Sequence, residues 1–586
     1  MWTSFLFVAL TSPYQDLGPR SADQLQTDLR QLAAAHAQVA SHLVIGTSLG
    51  GRPLEGLSIA SPGLPEFAPT VLVVGGVEGP RAFEGSVVLD HARRLCEERP
   101  ALLEVARVIC IPRVSLDAAE SRFETPVAES FASFHDADTD RDGLFGEDPP
   151  ADVNGDGLVT WMRVPDLEGQ HIADPHDERA NVKADAQLGQ RGAFRVVPEG
   201  FDADGDEQAA EDGPLDGRVD RGFSAGWEEH EPHAARFPLE DSGAKALADF
   251  MIEHPEITMV LVYGDADNLG AAPKGTGNSG GRVPSSGWMN GDAEWLKALG
   301  ETWRDGLEKG ALPKPAAHAP EPGSFASWAY EHRGLWVVAG RLWDLPQSAP
   351  KPAKEDPAED APMEDGPAEA EAEADSEAAG SEAPSESGED AADEPAQQKQ
   401  ADQPPGEPSE QAKELEWIDA TEQNWRFVPW QPFDHPQLGA VEIGGFAPFA
   451  RFDPPEDQRE SIAAKRYEFL TGLEAWLPRL AISSLEVEAK GTGLFEVRAH
   501  VTNEGRLPVL PEAGVRAEHR PRVIVELQVP DGAVLVAGNP RQTFGNLSGE
   551  GGRREFVWLL AADSIAGLTV RASAPHLGSV TQEVAQ

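Results

Sequence analysis

Residues 70–95 read TVLVVGGVEGPRAFEGSVVLDHARRL. The opening run, Thr70 to Val74, is apolar and β-branched with no alternation, the pattern of a strand buried on both faces. Gly75, Gly76 and the Gly79-Pro80 pair then punctuate the chain, and SVVLDHARRL resumes at helical spacing. A second apolar run, VARVICIPRV at 105–114, follows. Strand, glycine-rich loop, helix and strand in this order predict a largely parallel sheet covered by helices.

The same alternation extends in both directions. Upstream, SADQLQTDLRQLAAAHAQVASH (21–42) sets Leu25, Leu29, Leu32 and Ala33 on one helical face. Downstream, DSGAKALADFMIEH (241–254) predicts a helix, ITMVLVYG (257–264) a buried strand, and SWAYEHRGLWVVAGRLW (327–343) a helix and strand. One α/β domain is therefore expected over 21–345. From Ala481 the period changes to two, in SLEVEAKGTGLFEVRAHVTNEG, RVIVELQVPDG and RREFVWLLAADSIAGLTVRASA. Turns of Gly, Asn and Pro separate these runs, which predicts an all-β sandwich over 479–586.

Charge marks what lies between. The chain of 586 residues carries 48 Lys+Arg against 100 Asp+Glu, a formal net charge of −52. That balance argues against a nucleic-acid partner, since phosphate backbones are bound by cationic surface. Residues 346–413 are rich in Pro, Ala, Ser and Glu with almost no large apolar side chain, the composition of a disordered acidic insert. Residues 414–478 regain an ordinary composition and are expected to pack back on the α/β domain. The apolar stretch Trp2–Leu10 makes 1–20 a weak signal-like or disordered leader, and no run of 18 apolar residues predicts a membrane span. Two cysteines, Cys96 and Cys110, supply neither a disulfide framework nor a four-thiolate zinc site.

A second acidic region, 136–220, is of another kind, because its acids recur at alternate positions beside glycines. Asp138, Asp140 and Asp142; Asp152, Asn154 and Asp156; and Asp202, Asp204 and Asp206 form three such strings. Alternating short oxygen ligands on a tight turn can converge on one hard cation, so calcium is the expected ion. None completes an EF-hand: the twelfth position is Pro149 from Asp138 and Arg163 from Asp152, and the sixth from Asp202 is Glu207. A calcium-ordered loop suits an extracellular or periplasmic protein.

Several segments resemble the zinc carboxypeptidases, the carboxypeptidase A-like metallopeptidases, in their bacterial branch. HLVIGTSLGGRPLEGLSIAS (42–61) resembles the family's entry segment, and residues 71–95 its strand, loop and helix bearing the HxxE zinc motif. VDRGFSAGW (219–227) is similar to the segment holding a substrate-binding arginine, and WAYEHRGLWVVAGRLWDLP (328–346) to the segment holding the catalytic glutamate. HPQLGAVEIGG (435–445) also looks like a branch motif. The resemblance implies a mixed sheet of about eight strands flanked by helices, with a site at the strands' carboxyl edge.

That chemistry needs three zinc ligands and a carboxylate base. In the family register Glu78 stands at the first histidine, Arg81 at the glutamate, Gly264 at the third ligand and Arg341 at the base. A guanidinium has no acceptor lone pair and does not deprotonate, and glycine has no side chain, so the resemblance implies a degenerate zinc site and a pseudoenzyme. Arg221 matches the arginine that holds a substrate's terminal carboxylate, and Glu442 is the one further carboxylate of interest. The arginines make a cationic pocket for a peptide or small anionic ligand one reading. An ion-pair network filling the old site is the other. An active zinc peptidase with a shifted site and a structural cell-envelope protein stand as alternatives.

Overall fold

The fold was read from a computed structural model describing residues 17–65, 67–131, 148–203, 205, 208–210, 218–229, 235–275, 287–305, 322–347, 407–517 and 520–584. Asp138, Asp140, Asp142, Asp204 and Asp206, and the acidic run 348–406, lie outside these residues.

The chain enters through a helix, α1 (Ala22–Ala35), closed at its start by a capping box between Ser21 and Gln24. Two antiparallel strands, β1 (Ala40–Thr47) and β2 (Pro53–Ile59), follow. The decisive stretch folds as expected: β3 (Thr70–Val74) is wholly buried and α2 (Ala82–Glu98) begins after Gly79-Pro80. Strand β4 (Arg107–Ile111) returns beside β3 in parallel. The strands Ile257–Tyr263 and Trp336–Gly340 add to the other side of β3, both parallel.

The sheet order is thus β1, β2, β4, β3, Ile257–Tyr263, Trp336–Gly340, with the antiparallel members gathered at one edge. It is mixed and flanked by helices, as predicted. It has six strands among the described residues rather than about eight. Val71 to Val74 and Met259 to Leu261 are completely inaccessible, so the core lies on both faces of the central strands.

A second six-stranded, antiparallel sheet joins parts of the chain far apart in sequence. Strands Trp161–Pro165, His171–Ala173, Asn181–Lys183 and Phe194–Pro198 come from the acidic insertion, and the hairpin Phe427–His435/Gly439–Phe446 completes the sheet against Trp161–Pro165. The helices Glu410–Ala420 and Glu456–Gly472 flank that hairpin in sequence and pack on the main core.

The C-terminal region is a sandwich of two four-stranded antiparallel sheets. Val497, Ala499 and Val501 alternate inward from one sheet and Val523, Val525 and Leu527 from the other, around Phe556 and Trp558. Strand period two was enough to predict this architecture, because each sheet has one dry face and one wet face.

Candidate functional site

Parallel strands deliver their side chains to one edge, and here three carboxyl ends do so together. Gly75–Gly76 follow β3, Gly264–Asp265 follow Ile257–Tyr263, and Arg341 follows Trp336–Gly340. Gly76 has φ of +54°, a conformation open to glycine at little cost, and this lets the chain turn toward Glu78 and α2. The crevice outside the carboxyl ends is the usual ligand position in such sheets. Glu78, Arg81, Gly264 and Arg341, the four positions the resemblance singles out, all belong to the loops or turns at this edge.

Arg81 is the centre of the cluster and is only 2% exposed. Its Nε donates to Asp265 Oδ1 at 2.5 Å and its Nη2 to Asp344 Oδ1 at 2.6 Å. Nη1 donates to the Trp343 carbonyl at 3.1 Å and lies 3.5 Å from Glu84 Oε1. Burial opposes the charge, but Asp265, Asp344 and Glu84 more than offset it and hold the guanidinium firmly protonated. Arg341 uses the same two acids, donating to the Asp265 carbonyl at 3.1 Å and to Asp344 Oδ2 at 2.8 Å. Burial raises Asp265's pKa, yet Arg81 and Arg341 together pull it below the usual carboxylate range.

Two glutamates complete the cluster as proton holders. Burial, then the nearby Asp265 and Asp220, push the Glu78 carboxyl well above its ordinary range, and its Oε2 has no hydrogen-bond partner among the described residues. Burial likewise pushes Glu84 up to about 8 against the opposing pull of Arg81. Over the cluster lies the segment after the branch motif. The Phe452 ring centroid sits 5.0 Å from the Arg81 guanidinium carbon, and the Leu345 N–H donates to the Arg451 carbonyl at 3.0 Å.

The donor set at these positions does not fit a zinc ion. Arg81 presents only N–H groups, Gly264 presents nothing, and a Cβ built at Gly264 would meet Val77 Cγ2 at 2.9 Å. Asp265, the acid beside it, is already engaged by Arg81. Among the described residues no group of three or more His, Cys, Asp or Glu is placed to hold a metal.

The remaining candidates fall elsewhere. Arg221 is half-buried, and its Nη1 donates to the Pro322 carbonyl at 3.3 Å. Glu442 lies on the second sheet, opposite Arg163 in register, with 3.5 Å between Oε2 and Arg163 Nη1. Asp152 accepts the N–H groups of Gly155, Asp156 and Gly157, and Asn154 Oδ1 accepts that of Asp156, so this turn is closed by its own backbone. The buried Glu199 braces it through the N–H groups of Val153 and Asn154. Asp202 accepts from Gly205. Calcium at these described residues gains no support from their geometry. Sequence reasoning passed over Asp344 and Phe452; the signal for Asp344 was an acid three residues after Arg341 in the same segment.

A mixed α/β domain with its cluster at the carboxyl edge, joined to a β-sandwich, is the class that fold and site define. A family described as a domain of unknown function (DUF8731) matches residues 479–585, the sandwich. No curated protein matches the chain. Among solved structures, the carboxypeptidase A from Helicoverpa armigera is similar at 12% identity and a TM-score of 0.34, covering 56% of this chain and 65% of that one. A metallo-carboxypeptidase from Burkholderia cenocepacia is similar at 11% identity and 0.28, covering 55% and 60%. One from Pseudomonas aeruginosa, in complex with (2-guanidinoethylmercapto)succinic acid, is similar at 13% and 0.27, covering 56% and 61%. The chain spans less than two thirds of the length of each. Likeness of this degree transfers no residue role and no activity.

Proposed function

We propose that this chain is a carboxypeptidase-like protein without zinc peptidase chemistry, whose former catalytic position has become a buried ion-pair network. One observation carries the reading: Arg81, at the position of a zinc-binding glutamate in the family register, is buried and bound to both Asp265 and Asp344. In that register a guanidinium stands where the family has a metal ligand, and Arg341, which cannot take a proton from water, stands where it has its base. The resulting protein is a binding protein rather than a hydrolase. Its ligand is a peptide or small anionic ligand, with Arg221 the residue that would take its negative charge.

Export to an extracellular or periplasmic compartment belongs to this proposal, as does calcium. The calcium reading is supported by the acid and glycine alternation of the strings at Asp138–Asp142 and Asp202–Asp206.

The decisive experiment is elemental analysis of the purified chain after dialysis against trace zinc, together with an assay of C-terminal release from an acylated dipeptide. No stoichiometric zinc and no release are expected. One zinc per chain with measurable release would restore the active-peptidase alternative. Calorimetric titration with an N-acetylated amino acid, lost in Arg221→Ala, tests the binding role.

A further inference from the structure

The opposite edge of the main sheet holds a cluster that the cleft does not use. Ile257, at the amino end of its strand, is six residues from Tyr263, so this edge lies roughly 20 Å from the Arg81 network. Here the sandwich docks: Thr258 Oγ1 donates to the His576 carbonyl at 2.6 Å, and Arg520 Nη2 to the Ile257 carbonyl at 3.2 Å. Arg333, just before Trp336–Gly340, approaches from the α/β side. A Cβ on its neighbour Gly334 would lie 3.4 Å from Arg520 Cγ.

Three side chains at this seam have polar atoms left over. His576 is completely inaccessible, and neither ring nitrogen has a hydrogen-bond partner. Arg520 is 8% exposed with Nε unpartnered, and the half-buried Arg333 has an inaccessible, unpartnered Nε. Buried polar atoms are nearly always satisfied, so an enclosed imidazole with both nitrogens unpartnered points to a missing partner. Water could supply hydrogen bonds but not charge. Burial lowers Arg520's pKa to about 10, and the charge acting beside it is another cation, Arg333. Burial and Arg520 press His576 down to about 3. In a chain with twice as many acids as bases, neither guanidinium pairs with a described carboxylate. Enclosed cations without a counter-charge are costly, and an oxyanion removes that cost while supplying acceptors to both forks.

We propose that Arg333, Arg520 and His576 form an interdomain site for a tetrahedral oxyanion, a phosphate or sulfate group, that bridges the α/β domain and the sandwich. Two arginine forks and an imidazole suit the several acceptor oxygens of such a group better than a halide. Because Arg333 belongs to one domain and the other two residues to the other, occupancy couples them.

The test is calorimetric titration of the full chain with sodium sulfate, sodium phosphate and phenyl phosphate, at constant ionic strength made up with chloride. Saturable binding of one sulfate or phosphate per chain is expected, weakened at least tenfold in Arg333→Gln and in Arg520→Gln. Arg333→Gln alters a half-buried side chain, so it keeps the test valid should Arg520→Gln fail to fold. Phenyl phosphate binding alongside inorganic phosphate supports a site for a phosphate carried on a larger molecule; its exclusion supports a site for the free ion. No saturable binding, or equal affinity in Arg333→Gln and wild type, overturns the proposal. Loss of binding in Arg221→Ala with Arg333→Gln unaffected would do so too, since it would move the anion to Arg221.

Discussion

Arg81 and Asp265 are 184 residues apart in the chain and 2.5 Å apart in the structure. The contact ties the start of α2 to the carboxyl end of a central strand, at the edge of the sheet that carries the cluster. Asp344, bound by both Arg81 and Arg341, ties in the next strand as well.

Removing the cation should therefore be expensive. Arg81→Met leaves Asp265 and Asp344 with less cationic compensation, Arg341 still bonding Asp344, and is expected to cost about 3–5 kcal/mol, the usual penalty for breaking one side of a buried pair. Arg81→Met combined with Asp265→Asn should recover part of that loss. Urea denaturation of the two single variants and the double variant measures the coupling. A cost under about 1 kcal/mol for Arg81→Met would mean the network is solvated rather than buried.

Glu84 gives the cluster a pH signature. Its folded pKa, about 8, lies above the ordinary unfolded value, so the folded state holds a proton that the unfolded state releases. Its contribution is then fully present below the unfolded pKa and is lost as pH rises toward 8. Asp265 acts in the opposite sense, since its lowered pKa stabilises above the unfolded value and is lost in acid. Stability should decline between pH 5 and 8, by an amount on the order of a few kcal/mol for Glu84. Glu84→Gln, which mimics the protonated acid, should flatten that decline in urea melts at pH 5, 6.5 and 8. An unchanged slope would show that Glu84 does not carry it.

The main sheet and the sandwich were legible because burial leaves a periodic trace. Thr70–Val74 reads as a doubly buried strand, and residues 494–503 alternate as they sit in the sandwich. The second sheet was not legible. Its strands at 171–173 and 181–183 are three residues long and only partly buried, and the hairpin at 427–446 that pairs with Trp161–Pro165 lies beyond the acidic insert, so neither period nor proximity announces the sheet. The site shows the same division. Arg81 and Arg341 could be placed by resemblance, but their sharing of Asp265 and Asp344 depends on which strand lies beside which.

The Asp152 turn is held by its own backbone donors. Asp152 accepts three backbone N–H groups, at 2.8, 3.1 and 2.9 Å, so Asp152→Ala should cost about 1–2 kcal/mol through lost hydrogen bonds. Thermal melts in EGTA and in millimolar calcium should show the same drop relative to wild type in each. A drop confined to the calcium samples would instead make Asp152 a calcium ligand.

Asp292 decides how firmly the sandwich is held. It stands on the helix Asn290–Arg304 of the α/β domain, and its Oδ1 accepts the N–H of Glu512 at 2.8 Å at the start of the short helix Glu512–Arg516. Its Oδ2 accepts the Tyr330 hydroxyl at 2.6 Å, and that oxygen in turn accepts the Met289 N–H. One buried carboxylate thus caps an element across the seam and fixes the tyrosine of the YEHRG segment. Asp292→Ala strands the Tyr330 hydroxyl and the N–H groups of Glu512 and Ala513, for about 2–4 kcal/mol by the cost of unsatisfied buried donors. Tyr330→Phe removes a single hydroxyl and should cost about 1 kcal/mol. Because the loss from Asp292→Ala falls on the seam rather than in either core, its calorimetric melt should separate into two transitions where Tyr330→Phe keeps one. A single transition shifted to lower temperature in Asp292→Ala would show that the two domains are coupled chiefly by other contacts, such as Trp336 Nε1 to the Pro508 carbonyl at 3.0 Å.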